Sequence, residues 1–281
     1  MALDAQSWTF LDAFRWSPPR ALLPSWAPAQ ALAQLARRAL DGRCRGVEAR
    51  LIEWDVCLHD LGGDPSRRDW RRFRPLRLSR EEDWSDWLAH LLESSSSGIL
   101  GSALFEGDVE AYRAPAEVRR EWTLPGGFRA DLAMRLRDGA WVHLEVKVGD
   151  QTFLKTFDEA RAIREALGPV PEIRTFILLP GDSMDAWVEA RTTAEALPGT
   201  TAQVRDITWA CVAVGLRRSL RSRSENASWS AWAYAYVGAV EQRLLGTPHL
   251  PRNFRTQDLS YADLVRVGAL VDVLERVDHD D

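Results

Sequence analysis

Between Glu117 and Val148 the chain offers three strand-like runs at close spacing, Glu117 to Leu124, Arg129 to Arg135 and Trp141 to Val148. They are joined by Pro125-Gly126-Gly127 and Asp138-Gly139, both strong turn formers, so they predict an antiparallel meander. Side chains alternate across a strand. In the last run Val142, Leu144, Val146 and Val148 therefore share one face, and His143, Glu145 and Lys147 the other. In the preceding run Ala130, Leu132 and Met134 oppose Arg129, Asp131 and Ala133. Antiparallel pairing across Asp138-Gly139 then brings Asp131 near Glu145 on a common polar face.

The flanks have helical period. Trp84, Leu88, Leu91 and Leu92 define one side of a helix from Glu81 to Leu92, with Ser79 as the expected N-cap and Glu82 completing a capping box. A Ser-rich break precedes a helical turn near Leu100 to Phe105. After the meander come a helix from Phe153 to Leu167 and an apolar strand from Ile173 to Leu179. Helices are expected at Met184 to Leu197, Trp209 to Leu220, Ser228 to Leu245 and Tyr261 to Val277, with a short strand ending near Ile207. Trp229, Trp232 and Tyr236 recur at helical spacing, a stripe more often core than ligand platform. N-terminal to all this, Trp8, Trp16, Trp26 and Pro18-Pro19 show no period, residues 28–40 read as an amphipathic helix, and alternation over Val47 to His59 predicts a half-buried strand. The expected architecture is α/β: a mixed sheet flanked by helices with a helical C-terminal part. Residues 1–75 would be an added N-terminal region and 76–281 the main domain.

Of 36 basic side chains only two are lysine, Lys147 and Lys155. In a chain so biased to arginine, a surviving lysine marks a place where an ammonium is needed and a guanidinium does not serve. Two carboxylates and an ammonium converging beyond a sheet suit phosphodiester hydrolysis. Asp131 and Glu145 supply hard oxygen ligands for Mg²⁺ or Mn²⁺, and Lys147 can orient or deprotonate water, its pKa lowered by a neighbouring divalent ion.

An Asp followed in the next strand by Glu-x-Lys, flanked by helices, resembles the PD-(D/E)XK nuclease superfamily over about residues 80–180, with Ala130 standing where the family name has proline. The resemblance implies a restriction-endonuclease-like core. It implies Asp131, Glu145 and Lys147 as the catalytic centre, with the Val146 carbonyl as a further metal ligand. Many members carry an acid on the helix before the meander. Glu81, on the apolar side of that helix, fits the part, and equally a first-turn acid favoured by the helix dipole. Gln151 and Lys155 fall where some members touch the substrate backbone. Lys155 could equally be an exposed lysine paired with Asp158 or Glu159. His143 and Arg129, on the same polar face, are substrate-side candidates, although a histidine in such a place is more often structural.

The expected function is Mg²⁺- or Mn²⁺-dependent cleavage of DNA, with RNA the other polynucleotide it could take. A role in bacterial defence or restriction fits such stand-alone nucleases by resemblance alone. A homodimer or a partner in a protein complex is compatible with this, since one active site cuts one strand. Two rivals stand beside it: a catalytically silent nuclease fold that binds nucleic acid or assembles a complex, and a protein-interaction module built on the tryptophan-rich helices.

The net charge of −5 excludes a wholly basic surface but not a basic patch. Arg67, Arg68, Arg71, Arg72, Arg74, Arg77 and Arg80, interleaved with Trp70 and Phe73, form one candidate phosphate patch, and Arg217, Arg218, Arg221 and Arg223 a second. A solvated basic connector is the competing reading of the first. Cys44, Cys57 and Cys211 are too scattered for a disulfide framework or a zinc site, and none of the histidines has zinc-ligand spacing. With no stretch of membrane length and no basic segment leading into an apolar N-terminal run, a cytoplasmic location is expected.

Overall fold

The computed structural model describes residues 26–73, 78–196 and 203–279. Trp8, Trp16, Pro18-Pro19, Arg74 and Arg77 lie outside the described residues. By internal contacts the chain divides into residues 1–43 and a compact unit, Cys44–Asp281. The first unit contributes helix α1 (Trp26–Arg43), on which Leu32 and Leu35 are exposed.

The second unit opens with α2 (Val47–Cys57), where alternation predicts a strand. The buried residues are Val47, Leu51, Trp54 and Leu58, a spacing of four, three and four, whereas the alternating Ile52 and Val56 are exposed. Two periods overlap in this segment, and burial follows the helical one. Helix α3 (Glu81–Ser94) also departs from expectation at its start: Arg80 is the N-cap. The Asp83 carboxylate accepts the Ser79 N–H (2.8 Å), the Ser79 hydroxyl (3.0 Å) and the Arg80 N–H (2.9 Å). The capping frame lies one residue later than Ser79 and Glu82 require.

A short helix α4 (Ile99–Phe105) leads into strands β1 (Glu117–Thr123), β2 (Arg129–Arg135) and β3 (Trp141–Val146). Helix α5 (Leu154–Leu167), β4 (Ile173–Leu179), α6 (Met184–Glu195) and β5 (Val204–Thr208) follow. The sheet runs β1-β2-β3-β4-β5, antiparallel across the first three strands and parallel across the last three. Helix α7 (Trp209–Ser222), α8 (Ala227–Ala239), a π-turn (Val240–Leu244) and α9 (Tyr261–His279) complete the chain. The chain is thus α/β, with a five-stranded mixed sheet flanked by helices and a helical C-terminal part.

Both faces of the sheet are covered. Phe176 of β4 meets Phe105 of α4, while its neighbour Ile177 packs with Phe157 of α5 and Trp187 of α6. Since Glu145 pairs with Ile177 in parallel register, and Ala133, which packs against Ile163 of α5, pairs with His143, the polar line of β3 faces α5. That line is inside the protein.

The basic clusters are largely committed internally. Arg217 is fully buried, donating to Asp64 (2.7 Å) and to Glu241 (2.9 Å) with its guanidinium over the Trp54 ring. Arg218 donates to the Arg276 carbonyl, Arg223 to the Cys57 carbonyl, and Arg221 pairs with Asp278. In the first cluster Arg67 pairs with Asp55, Arg68 lies over Trp70 and Tyr234, Arg71 donates to the Thr247 carbonyl and Arg72 pairs with Asp69. Arg67 and Arg217 are thereby taken out of either patch as internal ties, while Arg71, Arg72, Arg80, Arg221 and Arg223 keep exposed side chains. Arginine is the residue here that ties loops to helices, because one guanidinium satisfies several carbonyls and carboxylates at once. On α8, Trp229 and Tyr236 are core residues donating to the Leu91 and Trp84 carbonyls, while Trp232 is 43% exposed and packs tilted against Trp87, ring centroids 5.0 Å apart.

Candidate functional site

The end of β3 is the meeting point of both layers. Asp131, from the neighbouring strand, accepts the Val146 N–H (2.8 Å), fixing the residue between Glu145 and Lys147. The Lys147 ammonium sits 2.8 Å from Glu145 Oε1, 3.7 Å from Glu81 Oε1 and 3.9 Å from Asp150. Glu81, the first residue of α3, accepts the Val148 N–H through its other oxygen (2.8 Å). The strand is further held by Trp209, at the start of α7, whose indole donates to the Lys147 carbonyl (2.9 Å). Four of the residues expected from sequence, Glu81, Asp131, Glu145 and Lys147, are thus brought together, with Val146 among them.

Burial dominates the electrostatics. Glu145 is 2% and Lys147 4% exposed. Burial pushes the Asp131 carboxyl up to about 8; the Glu145 charge pushes the same way, against the Val146 N–H and Lys147. Burial likewise raises Glu145, with Lys147 opposing it. For Lys147 burial disfavours the charge, but Glu145, and behind it Glu81 and Asp131, outweigh that and raise its pKa. Among these protein groups alone, Lys147 is a locked cation. The lowered value expected from sequence belongs to a neighbouring divalent charge.

The remaining expected residues are placed differently. His143 is fully buried beneath the site with neither ring nitrogen hydrogen-bonded, and burial lowers its pKa to about 4. Arg129 is exposed at the start of β2, paired with Glu121 (2.7 Å) and Glu82 (3.6 Å). Gln151 is exposed on the loop before α5, where it lines a shallow hollow of about 340 Å³ with Leu154 and Glu189. Lys155 is half-exposed, its ammonium 2.6 Å from Glu159.

Glu159 is the site acid that sequence reasoning left as a mere helix partner. It is fully buried and faces Glu145, raising the Glu145 pKa both through its charge and through a side-chain hydrogen bond with it. Its spacing to Thr156 and Ile163, both on the buried face of α5, was the available signal.

Carboxylate oxygens suit Mg²⁺ or Mn²⁺. The residues fit such an ion in one specific respect: Glu145 Oε2 is buried without a hydrogen-bond partner, a costly state for a carboxylate oxygen unless a cation or proton meets it. Asp131, Glu145 and the Val146 carbonyl are the groups that would hold it. Among the described residues no three or more His, Cys, Asp or Glu side chains form a metal-binding group by themselves, so the backbone carbonyl and solvent would have to complete the shell. Among them, too, no helix is long and apolar enough to cross a membrane. No family model, curated protein or solved structure matches the chain.

Proposed function

We propose that this protein is a metal-dependent nuclease of the PD-(D/E)XK kind, with a restriction-endonuclease-like core, that hydrolyses phosphodiester bonds of DNA. The observation that carries the reading is the convergence of Asp131, Glu145 and Lys147, with Glu81, at the end of one central strand. A bound Mg²⁺ or Mn²⁺ would supply a lowered water pKa and neutralise charge developing on the phosphate. In the protein's own part, Asp131 and Glu145 would hold that ion, Asp131 fixes the strand, and Lys147 would orient the attacking water. Glu81 and Glu145 keep the ammonium aimed at one point, and the resemblance implies a 5′-phosphate product.

The test is incubation of plasmid, single-stranded DNA and RNA with the purified protein in Mg²⁺ or Mn²⁺, beside Lys147→Ala and an EDTA control. Cleavage lost in both controls supports the centre and identifies the substrate. Cleavage surviving Lys147→Ala means the site is elsewhere. The depth of Glu145 and Lys147 favours one second reading, a catalytically silent nuclease fold serving as a binding or assembly subunit. That reading requires nucleic-acid binding, without cleavage, that is indifferent to Lys147→Ala and to EDTA.

A further inference from the structure

The buried side of α5 carries polar groups that this reaction leaves unused. Glu159 is fully enclosed; the Lys155 ammonium lies 2.6 Å from its carboxylate and hydrogen-bonds it, and its side chain shares a further hydrogen bond with Glu145. One turn earlier, Thr156 is also fully buried, with its hydroxyl unpartnered. Opposite stands Glu145 with its own unpartnered oxygen Oε2. Two carboxyl groups facing each other at such depth repel strongly when both are charged, and need a shared proton or positive charge between or beside them. Lys155 supplies positive charge from outside: its side chain is 50% exposed, whereas that of Glu159 is wholly buried. An ordinary helix-surface pair of this spacing has both partners in solvent. Here the ammonium reaches inward, on a flexible stem that can turn out again at little cost.

Resting on the reading of the site as a cation centre, we propose that Glu159 is a further carboxylate of that centre, which Lys155 covers until a divalent cation is held at Glu145. With a cation there, Glu159 would no longer depend on the Lys155 ammonium, and both ammonium groups would be repelled. Lys147 is confined by Glu81 and Glu145, so Lys155 is the one free to leave. Its ammonium turns toward solvent, where it can meet the phosphates of a bound strand. The pair is a latch that presents a substrate-binding charge only when the ion is present.

Because Lys147 and Lys155 are the only lysines, an amine-directed reagent read by peptide mass spectrometry follows Lys155 cleanly. Mn²⁺ binding is followed in parallel by electron paramagnetic resonance on the full chain. Labelling of Lys155 should rise severalfold with Mn²⁺ in the wild type and be high without it in Glu159→Gln. Mn²⁺ affinity should fall about tenfold or more in Glu159→Gln, as for other groups that support a metal centre. It should rise in Lys155→Met, a half-exposed change that also serves if Glu159→Gln does not fold. Lys155 labelling indifferent to Mn²⁺, or unchanged or weaker affinity in Lys155→Met, overturns the latch while binding lost in Glu145→Gln still upholds the metal centre. Mn²⁺ binding absent from the wild type, or unchanged in Glu145→Gln, overturns the metal reading and the latch with it.

Discussion

The Asp131 carboxylate accepts the backbone N–H of Val146 at 2.8 Å, so a side chain of one strand sets the position of the residue that separates Glu145 from Lys147 in the next. Asp131 therefore has a structural task, holding a peptide group, and, on the function proposed above, a chemical one, presenting negative charge to a bound cation. The two can be separated. Asp131→Asn keeps an oxygen for the Val146 N–H but no charge, and is expected to fold as the wild type does and to lose cleavage by roughly a hundredfold or more. Circular dichroism and the plasmid assay check this together. Full cleavage by the variant would remove Asp131 from the centre.

Arg217 should be among the most sensitive positions for stability. Arg217→Met leaves Asp64 and Glu241 as buried carboxylates without their counter-charge. The expected loss is about 3–5 kcal/mol, read as a lower urea midpoint. A loss below about 1 kcal/mol would mean that water or a neighbouring group replaces the guanidinium.

Glu225 gives a pH signature. Burial raises its pKa, but hydrogen bonds from Ser95, Ser97 and Ser96 outweigh burial and lower it overall. A carboxylate lowered on folding stabilises the protein above its unfolded pKa, and that stability is lost as pH falls through the folded value. Glu225→Gln should therefore cost roughly 1–2 kcal/mol at neutral pH, and the gap from wild type should close in acid, below the ordinary carboxylate range. Urea midpoints at several pH values test it; a gap independent of pH would refute the assignment.

Gly238 lies within α8, where alanine is normally the better helix former. A Cβ there would run into the Trp70 indole. Gly238→Ala is expected to lower stability by about 1–3 kcal/mol, with the clash outweighing the propensity gain. A thermal melt with a raised midpoint would show that Trp70 gives way.

The meander and the helices around it were legible because each has one dominant period: the strand runs ending at Arg135 and Leu179 match β2 and β4 to the residue. Where two periods overlap, as from Val47 to Cys57, alternation misled. The strand-to-strand part of the site was legible too, since the turn at Asp138-Gly139 sets the register that brings Asp131 to β3. Depth was not. Alternation shows that His143, Glu145 and Lys147 share a face, but not that α5 covers it, and so Glu159 stayed hidden. Nor does a run of arginines reveal whether its partners are phosphates or the protein's own carbonyls and carboxylates; for Arg67 and Arg217 those partners, the Leu250 carbonyl and the Asp64 carboxylate, are distant in sequence.

Glu81 and Trp209 grip the same short stretch of backbone, one at the Val148 N–H and the other at the Lys147 carbonyl. During synthesis the Glu-x-Lys strand leaves the ribosome long before Trp209 does. A growing chain therefore carries the whole motif while still lacking one of its backbone clamps, and this end of the strand is held from both sides only when α7 has begun.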